Sequence, residues 1–394
     1  MVPFKIYHMG GSCCSQRLMT YDGKVCLVKE IRKDVQGVEN GFDKFYHEIQ
    51  HMIKYAHTGL FPEIYKIVDT ADTYTAIMEY CYCGITLSDL IRNESVELQC
   101  FKDSFRHIMT DIIKRLYTKH YEVLPPRDYL EQCYYCRVED RIGRVIEENM
   151  PGRYGFSDVL SRIIKNGCHI NGEYYPPVFE YIKFMRSSRQ LAKLLKIHFS
   201  CHVHYDLCPT NILVDYCFDE NRIRDFCLID VRGEGDTGPE KRHYIYDMGK
   251  MLLGLDAFDL FRIFNGREGA TSYAYHVDRD DKIVSIDFAF LNGGMAKRYR
   301  DAQQFFWDFF ENNAYFQDIM QDSAENLRAK FLFSQSMMYH PDVPCRIIYE
   351  QNEELAILMF MRGLMLMRFF LESVLGEDPV GKFNGRINIW EGLL

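Results

Sequence analysis

The sequence lacks an excess of basic residues. Its 47 lysines and arginines stand against 56 aspartates and glutamates, which gives a formal net charge of −9. Proteins that bind nucleic acid or anionic membranes in a general way carry positive charge over a broad surface. The balance therefore excludes both classes as general functions, although a nucleotide enzyme can keep a locally basic pocket within an acidic surface.

The sequence also lacks a hydrophobic run that suits a membrane. The most apolar stretch, residues 355–371, contains Arg362 and Arg368. A charged side chain at the middle of a bilayer costs roughly 3 kcal/mol. We therefore predict no membrane span and expect this stretch to form a buried helix.

A secretion signal and a second cysteine pair are missing too. The 14 cysteines are scattered through apolar segments, and without a secretion signal we expect them to be reduced thiols in a cytoplasmic protein. Cys133 and Cys136 form a lone Cys-x-x-Cys without a second pair or a His cluster, which argues against a zinc site. Internal repeats are missing as well, so the 394 residues suit two lobes with a core each.

What the sequence does contain is a dense set of polar residues near its middle. Residues 204–215 read HYDLCPTNILVD, and a short apolar strand then leads to Asp230. Phosphoryl transfer needs a carboxylate beside the accepting hydroxyl and oxygen ligands for the magnesium on the nucleotide phosphates. We predict Asp206 as the catalytic base and Asn211 and Asp230 as the magnesium ligands. The alternative is a buried loop with an incidental Asp.

The N-terminal residues predict a site for phosphates. Gly10, Gly11 and Ser12 form a predicted turn between strands, where glycines let backbone N–H groups approach phosphates closely. One strand later, Lys29 ends an apolar run, which is the position of a ligand for the nucleotide phosphates. A solvated lysine at the end of a strand is the alternative.

A helix and two more strands follow this lysine. Apolar residues recur at helical spacing over residues 41–56. Glu48 lies beside that apolar face, where it could pair with Lys29 and orient the ammonium group toward phosphate. A solvated helix glutamate is the alternative. Residues 64–69 and 73–80 alternate as two strands around a short turn.

The last of these strands runs into a predicted hinge. The backbone groups of Glu79 and Cys81 are expected to be exposed there and to suit the edge of an adenine ring. Thr86 and Asp89 have the spacing of a capping box that opens a helix. A strand that passes through small residues into a helix is a plausible connection between two lobes.

We place the lobe boundary near Gly84. Residues 1–83 are then a small N-terminal nucleotide-binding lobe with an antiparallel sheet and one helix. Residues 84–394 are a larger, mainly helical lobe for catalysis and acceptor binding, beginning with a helix over residues 98–116. The predicted fold class is α+β.

Three further expectations concern the larger lobe. Residues 178–198 predict the helix that delivers the catalytic loop. Residues 272–275 and 283–290 predict a hairpin. Residues 121–177 have no readable pattern, and we interpret them as a cover over the acceptor site.

These motifs, in this order, resemble the protein-kinase-like superfamily over nearly the whole chain. Its catalytic loop reads H-R-D-L-x-x-x-N, with Tyr205 here in place of Arg. The Gly-Gly turn and the Asp247 of Tyr-Asp-Met-Gly-Lys are most similar to the aminoglycoside phosphotransferase and choline kinase branch. The resemblance implies a two-lobed protein-kinase-like fold. It also implies that Lys29 holds the nucleotide phosphates, that Glu48 orients it, and that Asp247 braces the catalytic loop.

A narrower resemblance rests on three short patterns. Asp230-Val-Arg-Gly, Tyr246-Asp247 and Leu255-Asp256-Ala-Phe-Asp259 look like phosphotransferases of bacterial capsule and surface-polysaccharide gene clusters. This resemblance implies a small-molecule acceptor.

The sequence departs from protein kinases in two ways. Cys208 stands where serine/threonine protein kinases keep a Lys that contacts the transferred phosphate. No Ala-Pro-Glu motif follows Asp230, and the interval to Asp247 is too short for a long regulatory segment. Both departures disfavour a protein substrate. Arg232 either contacts a phosphate or pairs with an acid.

Together these features predict an ATP- and Mg²⁺-dependent phosphotransferase that acts on a hydroxyl of a sugar, polyol or amino alcohol. Its partners would be ATP and this small-molecule acceptor, with no nucleic acid. A protein kinase is the first alternative. The second is a nucleotide-binding pseudokinase that acts as a scaffold, which the complete set of predicted catalytic residues disfavours.

Overall fold

The computed structural model describes residues 14–35, 41–118, 129–198, 200–220, 222–232, 243–264, 273–278, 283–290, 293–376 and 380. An antiparallel sheet at the N-terminal end is followed by a mainly helical part. The α+β class predicted from the sequence is confirmed. The predicted phosphate turn at Gly10, Gly11 and Ser12 lies outside the described residues.

The N-terminal sheet begins with a hairpin. Asp22 and Gly23 have positive φ angles of 49° and 75°, as a tight turn between two antiparallel strands requires. The first four strands are β1 (Ser15–Tyr21), β2 (Lys24–Arg32), β3 (Ile64–Asp69) and β4 (Thr73–Glu79). They pair in the order β1-β2-β4-β3, antiparallel throughout.

Helix α1 (Phe42–Lys54) packs against this sheet along the predicted apolar stripe, in which Phe45 and Ile49 are buried. Glu48 follows Phe45 by one turn and is buried on the same side. One expectation is wrong in detail, because β2 continues beyond Lys29 and this residue lies within the strand.

The helical part opens at the predicted capping box. The backbone N–H of Asp89 donates to Thr86 Oγ1 over 3.2 Å, and the N–H of Thr86 donates to Asp89 Oδ2 over 2.7 Å. This exchange satisfies donors that the first turn of a helix leaves free. The helices up to residue 200 are α2 (Leu87–Arg92), α3 (Leu98–Ile112), α4 (Cys136–Glu147), α5 (Met150–Arg153), α6 (Val159–Asn166), α7 (Val178–Ser187) and α8 (Arg189–Leu194).

The remaining helices lie between residues 244 and 375, and two of them are largely buried. They are α9 (Tyr244–Leu255), α10 (Ala257–Phe264), α11 (Gly293–Glu311), α12 (Ala314–Met320), α13 (Ala324–Ser336), α14 (Val343–Ile348) and α15 (Glu353–Leu375). Helix α9 is buried along its whole length, and α13 packs against both α9 and α15. The predicted buried helix is confirmed as α15, with Arg362 and Arg368 fully buried. None of the helices that the structure describes is both long and apolar enough to cross a membrane.

Two further sheets lie among the described residues. One contains β5 (Ile85–Thr86), β8 (Ile212–Cys217) and β9 (Arg222–Leu228) in the order β5-β8-β9. The other contains β6 (Cys168–Ile170), β7 (Glu173–Tyr175), β10 (Tyr273–Asp278) and β11 (Val284–Phe290) in the order β10-β11-β6-β7. The predicted hairpin is confirmed as β10 and β11, and β6 pairs with β11 in parallel.

One expectation about the helical part needs correction. The helix predicted over residues 178–198 is two helices, because the Ser188 hydroxyl accepts a hydrogen bond from the Leu191 N–H at 3.3 Å and starts α8 anew. Residues 129–175, part of the region interpreted as a cover, form helices and the β6–β7 hairpin. Helix α4 there packs on α14.

Candidate functional site

An ion-pair triad joins the N-terminal sheet to the segment that follows β9. Lys29 Nζ lies 2.8 Å from Glu48 Oε1 and 3.1 Å from Asp230 Oδ1. The predicted Lys29–Glu48 pair is therefore present. Burial alone would lower the pKa of Lys29, but the two carboxylates raise it above its usual value. The ammonium group thus stays charged where strand, helix and Asp230 meet.

Asp230 is held in an unusual backbone conformation. Its φ of 54° lies in the left-handed region, which Asp tolerates better than most residues. Its side chain is 44% exposed, in contrast to the buried Lys29. Lys29 supplies Asp230 with a cation from β2. The charge of Lys29 lowers the pKa of Asp230, so the carboxylate is ionised.

Asp247 holds the loop of residues 204–215 through two hydrogen bonds and accepts a third from another segment. Its carboxylate accepts from the backbone N–H of His204 at 2.8 Å and of Tyr205 at 2.9 Å. It also accepts from the Tyr117 hydroxyl at 2.9 Å. Tyr205 has a φ of 68°, a costly conformation for a bulky residue, and the bonds to Asp247 stabilise it. The contact predicted for Asp247 is present, whereas the sequence reasoning missed Tyr117.

The other side of the loop is tied to the segment that carries Asp230. The Asn211 side-chain N–H₂ donates to the carbonyl of Asp206 at 2.9 Å. The backbone N–H of Ile229 donates to the Asn211 carbonyl at 3.0 Å, and that of Arg232 donates to the His204 carbonyl at 3.2 Å. These bonds bring Asn211 beside the chain that leads into Asp230.

Asn211 and Asp230 fit a magnesium ion chemically. The Asn211 nitrogen is committed to the Asp206 carbonyl, so its amide oxygen is directed away from that bond. Asp230 adds an ionised and partly exposed carboxylate. An amide oxygen and a carboxylate are hard ligands of the kind that Mg²⁺ prefers, together with water and phosphate oxygens.

Both oxygens of Asp206 face cations. Lys250 Nζ lies 3.0 Å from Oδ1, and Arg232 Nε lies 3.3 Å from Oδ2. Burial would raise the pKa of Asp206, but the charges of Lys250 and Arg232 hold it well below its usual value. Of the two roles left open for Arg232, pairing with an acid is thus present. The sequence reasoning missed Lys250, although it follows Asp247 by three residues and so lies on the same side of α9.

The predicted hinge differs partly from expectation. The backbone N–H of Glu79 donates to the carbonyl of Glu63 at 2.8 Å, so this group is not exposed as predicted. Cys81 lies in the irregular segment 80–84, and its Sγ is 3.0 Å from Cys227 Sγ. The adenine contact of Glu79 and Cys81 stays a prediction.

A second group of potential metal ligands lies far along the chain from this site. Within the described residues, Glu131, Cys136 and Glu139 bring ligand atoms close together. Arg186 pairs with both glutamates at 2.7 Å. The arginine therefore accounts for this acidic cluster without a metal.

Comparison with known proteins gives no family for this chain. No protein-family model matches it, and no curated protein matches it. Its function is therefore inferred from the residues and contacts described above.

Proposed function

We propose that the chain is an ATP- and Mg²⁺-dependent phosphotransferase that acts on a hydroxyl of a small molecule. The observation that carries the proposal is Lys29, which contacts Glu48 at 2.8 Å and Asp230 at 3.1 Å. A buried lysine shared by a helix carboxylate and a partly exposed aspartate suits a ligand of nucleotide phosphates next to a metal ligand. Lys29 and Asp230 are 201 positions apart in the sequence. Their contact therefore depends on the fold and is not a salt bridge between neighbours in the chain.

In this proposal the site residues divide into three roles. Lys29 binds the phosphates of ATP, and Glu48 orients its ammonium group. Asn211 and Asp230 hold magnesium, which when bound neutralises charge on the β- and γ-phosphates. Asp206 orients the acceptor hydroxyl and receives its proton late in the transfer.

Asp247 keeps this geometry in place without touching substrate. Its bonds to the N–H groups of His204 and Tyr205 fix the backbone immediately before Asp206. Fixing a catalytic carboxylate to within a fraction of an ångström is what makes such a group effective.

The proposed architecture is a two-lobed protein-kinase-like fold with ATP between the lobes. The antiparallel N-terminal sheet, α1 beneath it and the helical C-terminal part support this architecture. Residues 1–83 and 84–394 would be the two lobes, with adenine against the Glu79 carbonyl and the Cys81 backbone.

A small-molecule acceptor is favoured over a protein by the residues around Asp206. Cys208 has no charge to give the transferred phosphate, and Lys250 from another helix contacts Asp206 instead. Together with the short interval between Asp230 and Asp247, this supports a kinase that acts on a small metabolite. A role in capsule or surface-polysaccharide biosynthesis is the narrower proposal.

Paired measurements of binding and turnover test the proposal. Calorimetry with ATP and magnesium should show binding, and an ATP-consumption screen over sugars, polyols and amino alcohols should show turnover. Lys29→Met should lose turnover, because the phosphates lose their ligand. Lys33→Met is the matched control. Lys33 pairs with Asp69 at the surface, so this variant should behave like the parent.

Each failure of this test has a distinct meaning. Absence of ATP binding would end the nucleotide proposal altogether. Binding without turnover over a broad screen would favour a scaffold. Turnover of a protein substrate with none of the small molecules would favour a protein kinase.

A further inference from the structure

Two cysteines from distant parts of the chain bring their sulfur atoms into contact. Cys81 Sγ lies 3.0 Å from Cys227 Sγ, although the two residues are 146 positions apart in the sequence. Both are free thiols in the structure. An S–S bond is about 2.05 Å long, so a relative shift of about 1 Å would bring the two sulfurs to bonding distance. The fold thus places two thiols where a disulfide can form.

The elements that carry these cysteines differ in how firmly their backbones are held. Cys227 lies on β9 and pairs with Leu213 of β8. Cys81 lies in the irregular segment 80–84, between β4 and β5. A paired strand holds its residues in a hydrogen-bonded ladder, whereas an irregular segment adjusts more easily. The small shift that a bond needs therefore falls on Cys81, while Cys227 stays in place.

The two thiols also differ in their access to solvent. Cys227 is buried, with 7% of its surface exposed, whereas Cys81 is partly exposed. The hydrogen bond with the Cys81 thiol raises the pKa of Cys227, and burial raises it further, so Cys227 is a neutral thiol. An oxidant from solvent therefore meets Cys81 first, and Cys227 is placed to react with the product.

We propose that Cys81 and Cys227 are an oxidation site, at which hydrogen peroxide converts the two thiols into an intramolecular disulfide and a small thiol reduces it again. An accessible cysteine beside a second cysteine that resolves it is the arrangement of redox-sensing thiols. In reducing compartments, disulfides are usually transient and serve catalysis or redox sensing. The inference goes beyond the proposed phosphotransferase function and does not depend on it.

The oxidation takes two steps, and each step releases one water molecule. In the first, the Cys81 sulfur attacks one oxygen of hydrogen peroxide, the O–O bond breaks, and the sulfur becomes a sulfenic acid. The other oxygen leaves with the thiol proton as water. In the second, the Cys227 sulfur attacks the sulfenic sulfur, the S–O bond breaks, and the departing hydroxide takes the Cys227 proton. The two sulfurs together lose two electrons, which the peroxide gains.

The disulfide joins two parts of the fold covalently. Segment 80–84 follows β4 of the N-terminal sheet and leads through β5 into α2. On the other side of the bond, Asp230 follows Cys227 by three residues. Oxidation therefore fixes the connection between the N-terminal sheet and the helical part against the strand that leads to Asp230.

Oxidation of the full-length chain tests the inference. Fully reduced protein, dilute enough to disfavour links between chains, is treated with hydrogen peroxide, and the remaining thiols are alkylated before proteolysis. Mass spectrometry without reductant should find a pair of peptides linked through Cys81 and Cys227, and dithiothreitol should release them. Absence of this linked pair at every peroxide concentration would overturn the inference.

Variants of neighbouring cysteines locate the reactive pair. Cys81→Ser should lose the linked peptides. Cys83→Ser is the matched control, because Cys83 lies in the same irregular segment and is also partly exposed. This variant should form the link with the yield of the parent, and circular dichroism checks that both reduced variants are folded. A link from Cys83 to Cys227 that forms in Cys81→Ser as readily as the parent's link would overturn the assignment.

Trapping of the intermediate tests the order of the two steps. Cys227→Ala removes the resolving sulfur, so a sulfenic acid on Cys81 should persist and react with dimedone. The parent oxidised with dimedone already present should give the same adduct in competition with the disulfide, which makes the result independent of how well the variant folds. Labelling of Cys83 in place of Cys81 would overturn the inference.

Unfolding in urea distinguishes a bond that fits the fold from one that distorts it. A bond between residues 146 positions apart restricts the unfolded chain, so the oxidised parent should unfold at a higher urea concentration than the reduced parent. Oxidised Cys81→Ser should lack this increase. A midpoint that stays the same or falls in the oxidised parent would show that the bond forms only with strain in the fold, and would overturn the inference.

None of these measurements uses ATP or an acceptor. Absence of ATP binding would end the proposed phosphotransferase and leave the disulfide unaffected. Absence of the linked peptides would end this inference and leave the phosphotransferase unaffected.

Discussion

At the scale of single residues, the ionisation of Asp206 decides what this group can contribute. Lys250 and Arg232 keep it a carboxylate. Asp206→Asn preserves the size but removes the charge that receives the proton. We expect kcat to fall by about 10²–10⁴-fold, or roughly 3–5 kcal/mol of barrier, with ATP affinity nearly unchanged. Turnover with the identified acceptor and calorimetry with ATP measure the two quantities.

Asp215→Asn is the control for this prediction. Asp215 lies on β8, after the same loop, and takes no part in the proposed site. Its variant should keep the parent kcat. An Asp206→Asn protein that binds ATP and turns over like the parent would show that Asp206 is not the base.

Substitution of single residues also tests the dependence of turnover on magnesium. Asp230→Ala should abolish turnover, since it removes an ionised metal ligand, whereas Asn211→Ala should reduce turnover less because it removes a neutral one. Lys29 keeps its pair with Glu48 in the Asp230 variant, so circular dichroism should show an intact fold. Titration of activity with magnesium is the measurement, and activity of the parent in excess chelator would contradict the assignment.

Sequence reasoning found the site residues that belong to short motifs. Lys29, Glu48 and Asp230 were expected together, and the structure brings them into contact. Lys250 and Tyr117 were missed because their contacts depend on how two segments face the loop. These segments are α9 and residues 113–117, which follow α3. No pattern within residues 113–117 specifies that orientation for Tyr117, whereas the three-residue spacing from Asp247 could have indicated Lys250. Their catalytic or supporting roles stay predictions.

At the scale of helices and strands, the sequence patterns predicted the elements that depend on contacts between residues close together in the chain. Helix α1 and the Thr86 capping box were both foreseen. The break between α7 and α8 at Ser188 was missed, because the apolar stripe continues through it. A single side-chain cap produces this break. The parallel pairing of β6 with β11 was missed because each strand's partner is distant in sequence.

A buried ion pair joins α15 to the residue that follows α9. Arg362 donates to both oxygens of Asp256 at 2.8 and 2.6 Å, and the Tyr339 hydroxyl adds a third bond at 2.7 Å. Arg362→Leu should lower the free energy of unfolding by about 3–5 kcal/mol, because it leaves a buried carboxylate without its cation. Urea denaturation followed by circular dichroism measures the loss.

A double variant separates the lost pair from a general packing defect. Arg362→Leu combined with Asp256→Leu removes both charges, so we expect it to recover part of the stability lost in the single variant. Full additivity of the two single losses would show that the pair itself contributes nothing.

Two buried histidines make the stability of the folded protein depend on pH. Burial lowers the pKa of His340 to about 3 and that of His204 to about 4. Because both folded-state pKa values lie below the unfolded value of about 6.5, the stability they contribute is full above that pH. It is lost as the pH falls toward 4 and then 3, by at most about 1.4 kcal/mol per pH unit for each proton.

A substitution at His340 tests this pH dependence. His340 packs edge-on against Phe360 of α15, with ring centroids 4.8 Å apart. His340→Phe removes the titrating group but keeps an aromatic ring, so its unfolding free energy should fall less steeply between pH 6.5 and 4. His57→Phe, outside this interior, is the control. Parallel curves for parent and His340→Phe would contradict the prediction.

At the scale of the whole molecule, the N-terminal sheet and the catalytic loop are joined by aromatic contacts as well as by Lys29. His51 of α1 approaches Tyr205 with ring centroids 5.9 Å apart, and Phe61 stacks on His204 at 6.2 Å. The backbone N–H of Leu228 also donates to a carbonyl before β3. Ligand binding at the proposed cleft should therefore stabilise the N-terminal and C-terminal parts together.

Nucleotide-dependent unfolding measures this coupling. At an ATP concentration about 100 times Kd, with magnesium, the parent should gain about 2.7 kcal/mol of unfolding free energy. Glu48→Gln leaves Lys29 without the carboxylate that orients it, and about a tenfold loss of affinity would reduce the gain to about 1.4 kcal/mol. Asp43→Asn, exposed on the same helix, should keep the full gain. If Glu48→Gln is stabilised as much as the parent, the triad does not contribute to nucleotide binding, and its ion pairs serve only to join the sheet to Asp230.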